Sequence, residues 1–370
     1  MTAYFIRRLL LMIPTFIGVT VIAFTITRFV PGGPLERELM LLRQATGAGE
    51  AAGGSGGTNG SNVELTDDQL EQLKAQYHLD KPGYVAYFLW LKDVCMLNLG
   101  ESNKTKEPVL EKIARRIPIS LTFGLTGFLL AYLISVPLGI LKALKHGTAF
   151  DFTTSAIVFV GYSIPGWALG ALLLVALASG RVVDWMPLGD IKTSSYDDLP
   201  SVVRWLEDED EVEDDFGLLE WDRMSWTSRS IDRAYHMLLP VICYMMGSFA
   251  SLTILTKNSL MENLGQDYVR TAFAKGISPA RVILLHTLRN SLIPLATGLG
   301  HALSVLMAGS YLIEVVFNID GIGYLGFTAI IETDYPVVMG VLCINTFLIL
   351  IGNIISDFLY ALIDPRIRFE

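Results

Sequence analysis

The chain has 370 residues, 52% of them hydrophobic, with a mean hydropathy of +0.46. Its apolar residues gather in runs of about 20 or more, the signature of membrane spans and not of a soluble core. The formal charge of −9 sits entirely in one place: residues 181–233 hold 15 acidic and 6 basic residues, so the remainder is about neutral, which excludes a generally acidic surface and a nucleic-acid-binding face.

Arg7 and Arg8 precede an apolar run from Leu9 to Val30, interrupted only by Arg28 near its far end. The run is too long for a secretory signal and leads into PGGP, so residues 1–30 read as an uncleaved first span. Residues 31–118 are hydrophilic. Within them, 47–61 (GAGEAAGGSGGTNGS) is a low-complexity tether, and Thr66 opens a helix, TDDQLEQLKAQYHL, with acidic residues in its first turn. The stretch YVAYFLWLKDVCMLNLG after it has enough aromatic and aliphatic residues to lie on the membrane surface or on the transmembrane body.

Five further spans are expected over 119–144, 154–179, 235–256, 291–317 and 336–363. The expected fold is therefore an all-α integral membrane protein with six transmembrane helices. Its core runs over 119–363, and residues 364–370 form a cytoplasmic tail. Lys and Arg number two at the N-terminus, two in the 142–151 loop, five in the 257–290 loop and two in the tail, against none in 318–335. Basic residues mark short cytoplasmic loops. Both termini and the 257–290 loop are thus expected in the cytoplasm, with two insertions, 31–118 and 180–234, outside. Gly and Pro within the spans (Pro137, Gly139, Gly161, Pro165, Gly298, Gly300) suit close packing, kinks and a pathway.

The 257–290 loop has its own internal pattern. Residues 268–275 read as a short helix that stops at Gly276, after which Ser278 can cap a second helix with Pro279 at its first position. A helix–glycine–helix elbow between two spans is a docking piece. Arg270, Lys275, Arg281 and Arg289 offer charge-assisted contacts to a partner, or simply the positive-inside signal.

Other motifs weigh less. Gly321–Gly326 (GIGYLG) has the spacing of a dinucleotide fingerprint but precedes a membrane helix where a βαβ unit would be required. No GxxxxGK[ST] loop occurs, so ATP hydrolysis is not expected in this chain. Asn59-Gly-Ser61 and Asn103-Lys-Thr105 match a glycosylation pattern that has meaning only in a eukaryotic secretory host. The five histidines show no metal-ligand spacing, so no metal site is expected, and His301 within a span is either a packing residue or a pathway residue. Cys95, Cys243 and Cys343 read as small apolar fillers. Glu314 and Asp357 are the ionisable groups nearest to being intramembrane, either functional or held by a structural partner. The acidic run 207–215 (EDEDEVEDD) reads as a solvated, disordered loop, or as a steering surface for a cationic partner. Its flanking Trp residues suggest an interface.

The stretch YVRTAFAKGIS…HTLRNSLIP resembles the peptide-importer form of the "EAA" loop of ATP-binding-cassette permeases. The opening YFIRRLLLMIPTFIGVTVIAFTITRFVPGGP, together with SLTILTKNSL, GSYLIEVVFNIDGIGYLG, DYPVVMG and DPRIRFE, is similar to the B-type permease of dipeptide, oligopeptide and nickel importers. The PGGP, GYSIP, LTKNS and DPRI stretches most resemble the Yej-type permease for microcin C and oligopeptides. The resemblance implies a type I importer permease fold and import of peptides or peptide-like compounds across the bacterial inner membrane. It also implies a second permease subunit, two ATPase subunits and a periplasmic substrate-binding protein, with ATP and Mg bound by the ATPases and no cofactor by this chain. The elbow then becomes the ATPase-coupling piece, with Gly276 as its turn and Ala272 before it. Arg270, Thr271, Lys275, Ser278, Arg281, Arg289 and the closing Pro294 complete it. Arg270 replaces the motif's leading acidic residue, as is common in the peptide branch. Small polar residues of the spans (Ser163, Ser251, Ser304, Ser310) and Glu314 are candidates to line the pathway. A self-sufficient secondary transporter would need mid-membrane coupling carboxylates, and an intramembrane hydrolase a Ser/Lys, Asp/Asp or HExxH set; neither pattern is evident.

Overall fold

A computed structural model describes residues 2–29, 81–214, 219–295 and 310–363, and among them the protein is helical, with no strand. The tether 47–61, the helix expected from Thr66, His301, Ser304 and the tail 364–370 lie outside the described residues. The chain forms two compact units, one of residues 1–8, 116–324 and 348–370, the other of 9–115 and 325–347.

In the second unit, α1 (Thr2–Phe29) contributes its residues from Leu9 onward, and α2 (Gly83–Cys95) packs on it. The hydroxyls of Thr20 and Tyr87 are 2.9 Å apart, and the Phe24 ring lies 5.6 Å from that of Tyr87 and 5.7 Å from that of Trp90. The aromatic stretch is thus set against the first span. Cys95 is exposed there, so of the three cysteines only Cys243 and Cys343 are buried fillers. A short helix α3 (Val109–Ala114) follows. Asp334 is buried and accepts from Ser102 Oγ at 2.5 Å and from the Asn103 N–H at 3.0 Å, which pins the loop before α3.

The first unit is built on α4 (Ile117–Leu144) and α9 (Trp226–Leu264). At 39 residues α9 is about 58 Å long, well beyond the ~30 Å hydrocarbon thickness, and it runs unbroken from the 180–234 insertion to the elbow. Ser225 caps it by accepting from the Ser228 N–H at 3.3 Å. Phe123, Leu239, Val241, Cys243, Ile313 and Phe317 form the core of this unit. Outward from it, Leu129, Leu133, Phe159 and Leu172 are exposed, which suits lipid.

The expected span 154–179 is not one straight helix. It is α5 (Ala149–Ser163) and α6 (Gly166–Leu177), bent by 96°. Pro165 lacks an N–H and forces its predecessor out of the helical region; Ile164 accordingly sits at φ −97°, ψ 119°. Among the described residues, four helices are long and apolar enough to cross a membrane, or five with the bent pair. The middle of the expected span 291–317 lies outside the described residues.

The insertion 180–234 overturns the expectation of a disordered acidic loop over the residues described. Short helices α7 (Ser201–Leu206) and α8 (Glu209–Val212) close over Leu199, Val203, Trp221 and Met224, with Val212 from the acidic run only 2% exposed. A single valine among eight acids supplies the anchor. Asp232, wholly buried, accepts from the Thr193 N–H at 3.1 Å and from Trp221 Nε1 at 2.9 Å, fixing this small core to the start of α9.

Candidate functional site

The elbow begins three residues after α9. Helix α10 (Asp267–Ala274) ends at Lys275, and Gly276 follows at φ +76°, the left-handed conformation in which a helix is commonly terminated. Its N–H donates to Phe273 O at 2.9 Å, and the Ile277 N–H reaches back to Ala272 O. The chain then re-enters helix at α11 (Pro279–Arg281), with Pro279 at the first position. Here the expected side-chain cap is absent: Ser278 contributes its carbonyl, which accepts from the N–H groups of Arg281 and Val282, while its hydroxyl makes no capping bond. Residues Val282–Thr287 continue as one π-helical stretch into α12 (Leu288–Ser291). Such widened turns store an extra residue and often mark functional segments.

A small core of Val269, Ala272 and Val282, with Ile277 packed against it, holds the two arms together. Ala272 is therefore part of the elbow's interior. Arg270, Thr271, Lys275, Gly276, Ser278, Arg281, Arg289 and Pro294 are on its exposed side. Arg270 pairs loosely with Asp267 at 3.5 Å, both largely exposed. Among the described residues Lys275, Arg281 and Arg289 have no acidic partner, which leaves a basic surface beside the exposed Tyr268, Phe273, Leu284 and Leu285. Cationic groups interleaved with exposed large apolar side chains form a surface suited to a protein partner.

The elbow is stitched to α9 at both of its ends. Tyr268 donates its hydroxyl to Asn263 Oδ1 at 2.9 Å, Asn263 Nδ2 donates to Ser259 O at 2.9 Å, and Ser259 Oγ donates to Ser291 O at 2.9 Å. Lys257, one half-turn earlier, donates to both carboxylate oxygens of Asp151 at 2.8 and 2.7 Å.

Ser163 and Ser251 are exposed, with Ser163 Oγ bonded to Phe159 O at 2.9 Å, and Ser310 is half-buried, its N–H donated to the Tyr244 hydroxyl at 3.1 Å. Glu314 does not fit a lining role. It is wholly buried, on α13 (Tyr311–Val316), and its carboxylate accepts from Ser120 Oγ at 2.8 Å, the Tyr324 N–H at 2.7 Å and the Tyr244 hydroxyl at 3.4 Å. This tie also explains GIGYLG. A Cβ at Gly321 would stand 2.5 Å from the Glu314 carboxylate and from Ser120 Oγ, and one at Gly323 would stand 2.7 Å from the Tyr311 nitrogen. The glycines let the turn fold over a buried carboxylate, and the segment enters α14 (Ile322–Ile331) with no preceding strand. Asp357, on α15 (Tyr335–Ile363), likewise has a structural partner: Arg8 Nε lies 2.7 Å from its Oδ2.

Comparison with known proteins adds to this geometry. The family model described as "Binding-protein-dependent transport system inner membrane component" matches residues 135–369. The peptidoglycan transport system permease protein YejB of Agrobacterium fabrum is 34% identical, covering 100% of this chain and 99% of that protein. The inner membrane ABC transporter permease protein YejB of Escherichia coli O157:H7 is 35% identical, covering 100% of both chains. The dipeptide transport system permease protein DppB of Escherichia coli strain K12 is 33% identical, again over 100% of both.

Proposed function

The chain belongs to the family of inner-membrane components of binding-protein-dependent transport systems, and on that footing we propose that it moves peptides or peptide-like compounds inward, coupled to ATP hydrolysis through its 267–294 elbow. It is a multi-pass permease subunit of an ABC importer and not an enzyme. Its full-length relatives are components of such importers, which sets aside a self-sufficient secondary transporter.

The observation that supports the coupling role is the elbow itself: two short helical arms about a left-handed Gly276, a small private core, and a basic and apolar outer face. A rigid piece of this kind passes a partner's closure on as a rigid-body displacement of the spans attached to it. In this reading the exposed Arg270, Thr271, Lys275, Ser278, Arg281 and Arg289 meet an ATPase, which binds ATP and Mg. The full importer pairs this chain with a second permease, two ATPases and a periplasmic binding protein. Six spans, with the fifth over 291–317, put both termini and the elbow in the cytoplasm and the insertions outside, in the type I arrangement. Substrate passes between the two permeases along small polar residues such as Ser163, Ser251, Ser304 and Ser310, while Glu314 holds the packing.

The test is Gly276→Asp in the assembled importer. Uptake and the stimulation of ATPase by loaded binding protein are both expected to vanish with membrane insertion intact. Normal uptake by that variant would remove the coupling assignment.

A further inference from the structure

We propose that Asp151 is a positioning residue for transport, the joint through which movement of the elbow reaches α5 and the bent pair α5–α6. The proposal rests on the elbow being the ATPase contact. Asp151 lies in the first turn of α5, and among the described residues only Asp151 and Val158 of that helix are buried. Phe152, Ile157, Phe159, Val160 and Tyr162 all face outward. Asp151 is therefore the charged tie of α5 to the elbow's stem, beside the buried Val158 and the close approach at Gly161, where a Cβ would stand 2.5 Å from Met246 of α9.

That carboxylate is fully engaged. Lys257, on α9 just above the Ser259–Ser291 stitch, donates to both oxygens, and Lys142 at the end of α4 lies 3.2 Å from Oδ1. Lys142 Nζ is also held by Asp151 O at 3.0 Å, Thr154 Oγ1 at 2.9 Å and Ser155 Oγ at 2.7 Å. The Gly147 N–H at 3.3 Å and His146 Nδ1 at 3.1 Å complete the shell. The side chains of Lys142, Asp151 and Lys257 are 2%, 7% and 16% exposed, so each charge depends on the others and little on water.

The seam between α4 and α9 does not depend on this cluster. Ser135 Oγ donates to Phe249 O at 3.0 Å, and a Cβ at Gly139 would stand 2.5 Å from Thr256 and 2.8 Å from Thr253 O, so the two helices already touch along their length. Asp151 adds the third helix. With it, α5 is tied directly to α9 and answers to the elbow with it; without it, α5 follows only through Lys142 of α4 and its packing, and lags.

The experiment uses the whole importer in proteoliposomes, measuring substrate moved per ATP hydrolysed alongside complex yield and melting temperature. Asp151→Asn is expected to assemble, to keep the basal ATPase rate, and to lose about tenfold in substrate per ATP, the size of an ordinary coupling energy. Lys257→Arg, which keeps the charge, is expected to retain the wild-type ratio. A purely structural anchor would lower yield and melting temperature and leave the ratio in intact complexes unchanged; that result overturns the proposal. If Asp151→Asn fails to assemble, Lys257→Met decides on the same ratio, since it leaves the Lys142–Asp151 pair in place. Gly276→Asp runs in parallel. Normal uptake there means the elbow reading has failed, whereas a dead Gly276→Asp beside an Asp151→Asn of wild-type ratio means only this inference has.

Discussion

Gly276 has open space where a Cβ would go, so the cost of replacing it is torsional and not steric. A non-glycine residue at φ +76° costs about 1–2 kcal/mol, least for Asn. Gly276→Val is therefore expected to loosen the elbow, read as faster amide exchange over 268–282, and Gly276→Asn to change it much less; equal exchange in both would contradict the torsional argument. Gly323 is the opposite case. Its Cβ would meet Tyr311 backbone, which cannot swing aside, so Gly323→Ala is expected to cost about 1–3 kcal/mol in overpacking and lower the melting temperature of the purified chain. An unchanged melt would contradict the packing account of GIGYLG. These two glycines also show what a sequence carries at this scale. The turn at Gly276 follows from local pattern alone: a helix, a glycine, then Ser-Pro. The reason for Gly321 and Gly323 is Ser120 and Glu314, and no local pattern brings a serine to a carboxylate 194 positions away.

Elements follow the same division. The long spans α1, α4, α9 and α15 are legible because apolar length alone specifies them. The break between α5 and α6 is signalled by Pro165, but its 96° angle depends on packing. The acidic insertion reads as coil because its charges outnumber its anchors, yet Val212, Leu199, Val203, Trp221 and Met224 make a core once the chain doubles back. Its seam is electrostatic as well. Glu207 Oε1 accepts from the Ser225 N–H at 3.0 Å and Oγ at 2.6 Å, and Ser225 in turn caps α9. Burial raises the Glu207 pKa, but the bonds from Ser225 and Ser228 outweigh it, and the carboxyl ends below its ordinary 4.5. A lowered carboxyl contributes stability that is complete above the unfolded value and lost as pH falls through the folded one. The insertion is thus expected to loosen only below about pH 4.5, seen as a shift in Trp emission. Glu207→Gln should show the loosened emission already at neutral pH and no further change on acidification through that range. A wild-type emission at neutral pH would remove Glu207 from the seam.

At the scale of the whole molecule, the chain is one permease of an ATP-driven importer, and the longest of its described helices runs from the folded 180–234 insertion to the basic elbow. Composition and span pattern indicated the membrane class, and the motifs indicated the family. The tie at Asp151 was not legible, because it looks like an ordinary loop charge and its partner Lys257 lies 106 positions away; Glu314 stood out as a charge near a span, but its partner Ser120, 194 positions away, did not. The most direct measurement is cysteine cross-linking in the assembled importer. Cys95 is exposed while Cys243 and Cys343 are buried, so Cys95→Ser gives a quiet background. On it, Arg281→Cys places a thiol on the outer face of the elbow, and Trp205→Cys places one on the insertion, where Trp205 is 84% exposed. Arg281→Cys is expected to cross-link to the ATPase subunit and Trp205→Cys is not. An Arg281→Cys thiol that never captures the ATPase in a transporting complex, or that is labelled from the periplasmic side, would contradict the elbow's role.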